Sequence, residues 1–143
     1  MHSYIWKAKN LAELKKVASE ILEQFPQNRI FILNGDLGAG KTALIKAFAE
    51  ILQVEETVSS PTFSLVHEYT GVETIYHFDL YRLNQTEELH QIGFVEYLDS
   101  GNYVFIEWPE LALPFIQDDY LDITLTIVED FAREITCRRI KNT

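Results

Sequence analysis

Apolar residues recur at helical spacing in two stretches of this chain: Leu11, Leu14, Val17, Ala18, Ile21, Leu22 and Phe25, then Leu44, Ile45, Phe48, Ile51 and Leu52. Steps of three and four put each set on one face, which predicts two helices, the first of them amphipathic and packed on a sheet. Asn10 stands as an N-cap with Glu13 three residues on, a variant of the capping box, and Pro26-Gln27-Asn28 ends the first helix. The other apolar segments are short and rich in β-branched and aromatic residues, as strands are. Residues 3–9 form a first strand of mixed character, and residues 29–34 suit a buried one. Residues 64–69 and 74–79 pair as an antiparallel hairpin across Thr70-Gly71-Val72-Glu73, residues 103–107 form an apolar strand, and residues 120–128 and 133–140 alternate as two more. Residues 86–90 read as a short helix and 92–98 as wholly or partly helical. The pattern predicts an α/β fold, a mixed central sheet flanked by helices.

Composition bounds this picture. A chain of 143 residues, 47% hydrophobic and 13% aromatic, is expected to be one domain, residues 1–143, with a workable core. No run approaches the ~18 apolar residues of a membrane span, and Met1-His2-Ser3-Tyr4 lacks the regions of a signal peptide, so a cytoplasmic protein is expected. The single cysteine, Cys137, has no identified base beside it and reads as a small strand residue. The formal net charge is −10, and no Lys or Arg stands between Arg82 and Arg133. Such a surface repels phosphate backbones, which argues against unaided nucleic-acid binding and suits a partner protein with a basic face. A solvated surface that maintains solubility accounts for the same charge.

Candidate chemistry centres on Gly35-Asp36-Leu37-Gly38-Ala39-Gly40-Lys41-Thr42, which fits G-x-x-x-x-G-K-[ST] at every fixed position. It lies between a predicted strand and a predicted helix, the order a phosphate-binding loop requires. The loop amides make an anion nest at the helix N-terminus, Lys41 supplies charge for the outer phosphates, and the Thr42 hydroxyl is placed for Mg²⁺. A nucleoside triphosphate is the expected ligand, held by Asp36, Leu37, Gly38, Ala39, Gly40, Lys41, Thr42 and Ala43. Two acids end strands downstream: Asp79 in His77-Phe78-Asp79-Leu80-Tyr81-Arg82, and Glu107 in Tyr103-Val104-Phe105-Ile106-Glu107, the form of a Walker B strand. Either can bind Mg²⁺ or orient an attacking water. Thr62, in Ser59-Ser60-Pro61-Thr62-Phe63, is a candidate sensor of the γ-phosphate, although a plain turn explains the same residues. Trp108 either stacks on a base or caps the core. His67 and His77 can face each other across the hairpin, but two histidines make a poor metal site and structural roles are expected.

These motifs, with Gly93-Phe94, Glu96-Tyr97-Leu98 and Ile106-Glu107-Trp108-Pro109-Glu110, resemble in order and spacing the TsaE family, small bacterial ATPases of tRNA threonylcarbamoyladenosine biosynthesis. The resemblance runs over nearly the whole chain. It implies an ATP-binding and ATP-hydrolysing protein that works with TsaD and TsaB, the pair that transfers a threonylcarbamoyl group to the adenosine beside the anticodon. tRNA would then be reached only through those partners. It further implies Lys41 and Thr42 for phosphate and Mg²⁺, Thr62 as a switch, Asp79 and Glu107 as the acids near metal and water, and Trp108 beside them. One position departs from many members: Ala43 stands where they carry a second threonine, and the lost hydroxyl contact is expected to loosen nucleotide binding by about 1 kcal/mol.

The expected reaction is Mg²⁺-assisted attack of water on the γ-phosphate. With Arg82 the sole candidate for an arginine finger in cis, activity is expected to be slow alone and faster with partners. A small-molecule kinase is the rival enzyme, but a basic lid has no residues to build it between Arg82 and Arg133. A GTPase would carry an Asn-Lys-x-Asp pattern, which is missing. A nucleotide-gated protein-binding module is the non-enzymatic alternative.

Overall fold

Local chemistry fixes the first helix. The Asn10 side chain accepts the Glu13 amide at 2.9 Å, and the Glu13 carboxylate reaches back to the Lys9 amide at 2.7 Å, one residue before the usual capping-box target. The computed structural model describes residues 3–59, 61 and 64–142. They form β1 (Ser3–Ala8), α1 (Leu11–Gln24), β2 (Ile30–Asn34), α2 (Lys41–Ile51), β3 (Val66–Thr70) and β4 (Thr74–Asp79). The chain continues as α3 (Glu87–Gln91), α4 (Phe94–Leu98), β5 (Tyr103–Glu107), β6 (Tyr120–Ile127) and β7 (Arg133–Ile140). No described helix is long and apolar enough to cross a membrane.

One seven-stranded sheet runs in the order β1-β7-β6-β2-β5-β4-β3. The four strands β6, β2, β5 and β4 are mutually parallel, while β7, β1 and β3 add antiparallel edges. The expected mixed sheet is therefore found, with the hairpin β3–β4 at one side and the tail strands at the other.

Period-two alternation sorts the side chains onto two faces. On one, α1 and α2 cover Phe31, Leu33, Ile75, Phe105, Ile123 and Leu125. Phe31, Phe48 and Phe105 pack there as a triad with ring centroids 4.9 to 5.3 Å apart. On the other, α3 and α4 cover Ile32, Phe78, Val104 and Ile106, with Phe94 edge-on to Phe78 at 4.9 Å. Burying Leu44, Ile45 and Phe48 completely holds α2 in place, at roughly 1.5–3 kcal/mol for each side chain. Cys137 is buried in the sheet, as expected of a small strand residue.

This arrangement positions the site. Because β2, β4 and β5 are parallel, their C-terminal ends meet at one edge of the sheet, where open α/β sheets place their ligands. The loop after β2, Asp79 and Glu107 all lie there.

Candidate functional site

Residues 35–40 connect β2 to α2. Gly35 has φ +150°, and a Cβ there would stand 2.7 Å from the Leu125 carbonyl oxygen, so the loop can press against β6 only with glycine at this point. The loop, α2, Asp79, Tyr81, Glu107 and Trp108 enclose a cavity of about 410 Å³ that Leu37, Gly38, Gly40, Lys41, Thr42 and Ala43 also line. Asp36 and Ala39 belong to the loop backbone without lining the cavity. The Asp36 carbonyl accepts the Ala39 amide at 3.0 Å, and the Ala39 side chain is buried.

The polar residues converge because of register. Ile75, His77 and Asp79 alternate onto the face of β4 that α2 covers, as Tyr103, Phe105 and Glu107 do on β5, and Asp79 stands opposite Glu107 in the ladder. The Thr42 hydroxyl at the start of α2 donates to the Glu107 carboxylate, 3.0 Å from Oε2 and 3.2 Å from Oε1. Lys41 Nζ donates to the Gly35 carbonyl at 2.6 Å and lies 3.4 Å from the centre of the Trp108 ring. Asp79 Oδ1 accepts the Tyr81 amide at 3.0 Å. Lys41, Asp79 and Glu107 are all buried, at 5%, 5% and 3% exposure. Burial pushes the Lys41 ammonium below its ordinary value, while Glu107, Asp79, Glu110 and Asp36 pull the other way.

Trp108 does not take the core-capping role, one of the two expected of it. It sits outside both apolar clusters, half-buried and at φ +54°, and covers Lys41 with Tyr81 packed 4.8 Å away. Arg82 is exposed and does not line the cavity. Thr62 lies outside the described residues, as do Ser60 and Phe63. The flanks are held: Ser59 pairs through its amide and its carbonyl with the Tyr69 hydroxyl, and the Pro61 carbonyl accepts the Leu65 amide at 2.7 Å.

Two residues were not assigned to the site from the sequence, His77 having been given a structural role. His77 does stand opposite His67, but its Nε2 is 2.6 Å from Glu107 Oε2, whereas His67 turns to the Tyr69 hydroxyl. Its position two before Asp79, on the same face of one strand, was the available signal. Arg133 donates through Nε to the Ala39 carbonyl at 2.8 Å and through a terminal nitrogen to the Gly38 carbonyl at 3.2 Å. No local pattern pointed to it.

Sheet order, loop and the acids at the strand ends define an α/β protein with the P-loop NTPase-like fold. The family model described as threonylcarbamoyl adenosine biosynthesis protein TsaE matches residues 8–135. The chain is 39% identical to the tRNA threonylcarbamoyladenosine biosynthesis protein TsaE of Rickettsia felis, over 87% of this chain and 73% of the relative. Identity to the protein of the same name from Bacillus subtilis is 35%, over 96% of this chain and 86% of the relative. The crystal structure of Bacillus subtilis YdiB superposes with a TM-score of 0.77 at 32% identity, covering 95% of this chain and 84% of that one. The chain belongs to the TsaE family, as its motifs led us to expect.

Proposed function

We propose that this protein binds ATP with Mg²⁺ and hydrolyses it, in support of threonylcarbamoyl transfer to a tRNA adenosine by a TsaD–TsaB pair. The observation that carries the reading is the convergence of Lys41, Thr42, Asp79 and Glu107 on one cavity at a phosphate loop. Family membership and the relatives' names support the pathway. The residues present suit the cation: two buried carboxylates and a hydroxyl are hard oxygen donors, and two acids beside one lysine leave negative charge for a cation to offset. Thr42 and Glu107 would hold Mg²⁺, which when bound neutralises charge on the phosphate oxygens.

The chain's own groups do the rest. Loop amides and Lys41 take the charge that develops on the β- and γ-phosphates. Asp79, the acid not engaged with Thr42, orients the water by accepting its hydrogen bond. Trp108 and Tyr81 wall the cavity beside Lys41 and limit the entry of bulk water. No arginine among the described residues lines the cavity, which fits slow turnover alone and a partner that completes or orders the site. A surface of net charge −10 suits a protein that meets tRNA through others.

ATP turnover by the purified protein, alone and with the TsaB and TsaD pair, tests this. Turnover is expected to rise with the pair and to vanish in Lys41→Ala. Nucleotide binding without stimulation would instead favour a nucleotide-gated binding module.

A further inference from the structure

We propose that His77 is a positioning residue for Glu107, a fixed N–H donor that holds the carboxylate against Thr42 where a cation can reach it. The inference rests on the function proposed above. Asp79 and Glu107 are neighbours across the β4–β5 ladder, and like charges set opposite each other repel. A glutamate at the end of a strand has three side-chain torsions with which to swing away. What restrains it is a donor on either side. Glu107 Oε2 takes the Thr42 hydroxyl at 3.0 Å from α2 and the His77 ring nitrogen at 2.6 Å from β4. His77 and Glu107 side chains are 0% and 4% exposed, so water does not compete for the contact.

The contact itself identifies the donor. A ring with its proton at Nε2 donates to Glu107, whereas protonation at Nδ1 alone would set two lone pairs against each other across 2.6 Å. Such a donor orders the carboxylate as outer-layer hydrogen bonds do for metal-binding carboxylates.

Calorimetric titration of ADP, with and without Mg²⁺, into wild type, His77→Ala and His77→Gln separates this role from a packing role. In wild type Mg²⁺ should tighten ADP binding. His77→Ala should lose about tenfold of that tightening, with Mg²⁺-free affinity changed little, and His77→Gln, whose amide can donate from nearly the same point, should recover most of it. A folded His77→Ala protein that keeps the full Mg²⁺ effect would overturn the proposal, as would a folded His77→Gln protein that behaves like the alanine variant. A second measurement needs no variant: ¹⁵N spectra of histidine-labelled protein should show His77 protonated at Nε2, and a bare Nε2 would also sink it. Absence of ADP binding by wild type would remove the proposed function and this inference with it, a failure distinct from intact wild-type binding that the His77 variants share.

Discussion

Arg133 lies 94 positions from Ala39, yet its guanidinium spans the outside of the phosphate loop, on the carbonyls of Gly38 and Ala39. A trans peptide points its C=O and N–H to opposite sides. Holding the Ala39 carbonyl outward therefore turns the Gly40 amide inward, and Gly40 lines the cavity. Arg133→Ala should weaken ADP binding by about tenfold, the equivalent of about 1.4 kcal/mol, with calorimetry as the measurement. Arg133→Lys should recover only part of this, since an ammonium cannot present the fork that engages both carbonyls. Placements that reside in a local pattern were legible at this scale: Lys41 and Thr42 in their motif, Asp79 and Glu107 at strand ends, all four on one cavity. Roles that depend on pairing were not. The meaning of His77 comes from the β4–β5 register, that of Arg133 from the hairpin β6–β7, and neither register is written in the residues nearby.

Elements followed the hydrophobic pattern closely, because each helix and strand has one covered face whose period repeats in the sequence. The hairpin turn shows what that pattern does not reach. A Cβ on Gly71 would stand 2.5 Å from the Gln53 carbonyl oxygen and 2.9 Å from the Val54 nitrogen, both backbone atoms of the segment that leaves α2. Backbone cannot move aside as a side chain can. Gly71→Ala should therefore cost about 1–3 kcal/mol of stability, read from urea unfolding. A turn glycine was evident between residues 64–69 and 74–79; its contact with the segment after α2 was not, since it joins parts of the chain that the pattern treats separately. Strand order stayed unreadable for the same reason. Alternation assigns a side chain to a face and says nothing about which strand stands next to it.

Across the whole molecule, burial couples the sheet to alkaline pH through Cys137. Desolvation first, and then Asp122, push its thiol up to about 12 from the ordinary 9.0. The unfolded thiol ionises above 9.0 while the native thiol keeps its proton, so the unfolded state holds fewer protons between those values. This contribution to stability is fully present below about pH 9 and is lost as pH rises toward 12, at up to about 1.4 kcal/mol per pH unit. Cys137→Ala, beyond a constant loss from the smaller side chain, should flatten the fall of melting temperature between about pH 9 and pH 11 relative to wild type. The same strand has a consequence for synthesis. β7 stands between β1 and β6, so β1 waits, unpaired in the nascent chain, until residues 133–140 leave the ribosome. Arg133 arrives with them. A product clipped or stalled before that point would display the entire G-x-x-x-x-G-K-[ST] motif with the Arg133 clasp missing, so this brace on the phosphate loop waits on translation through β7.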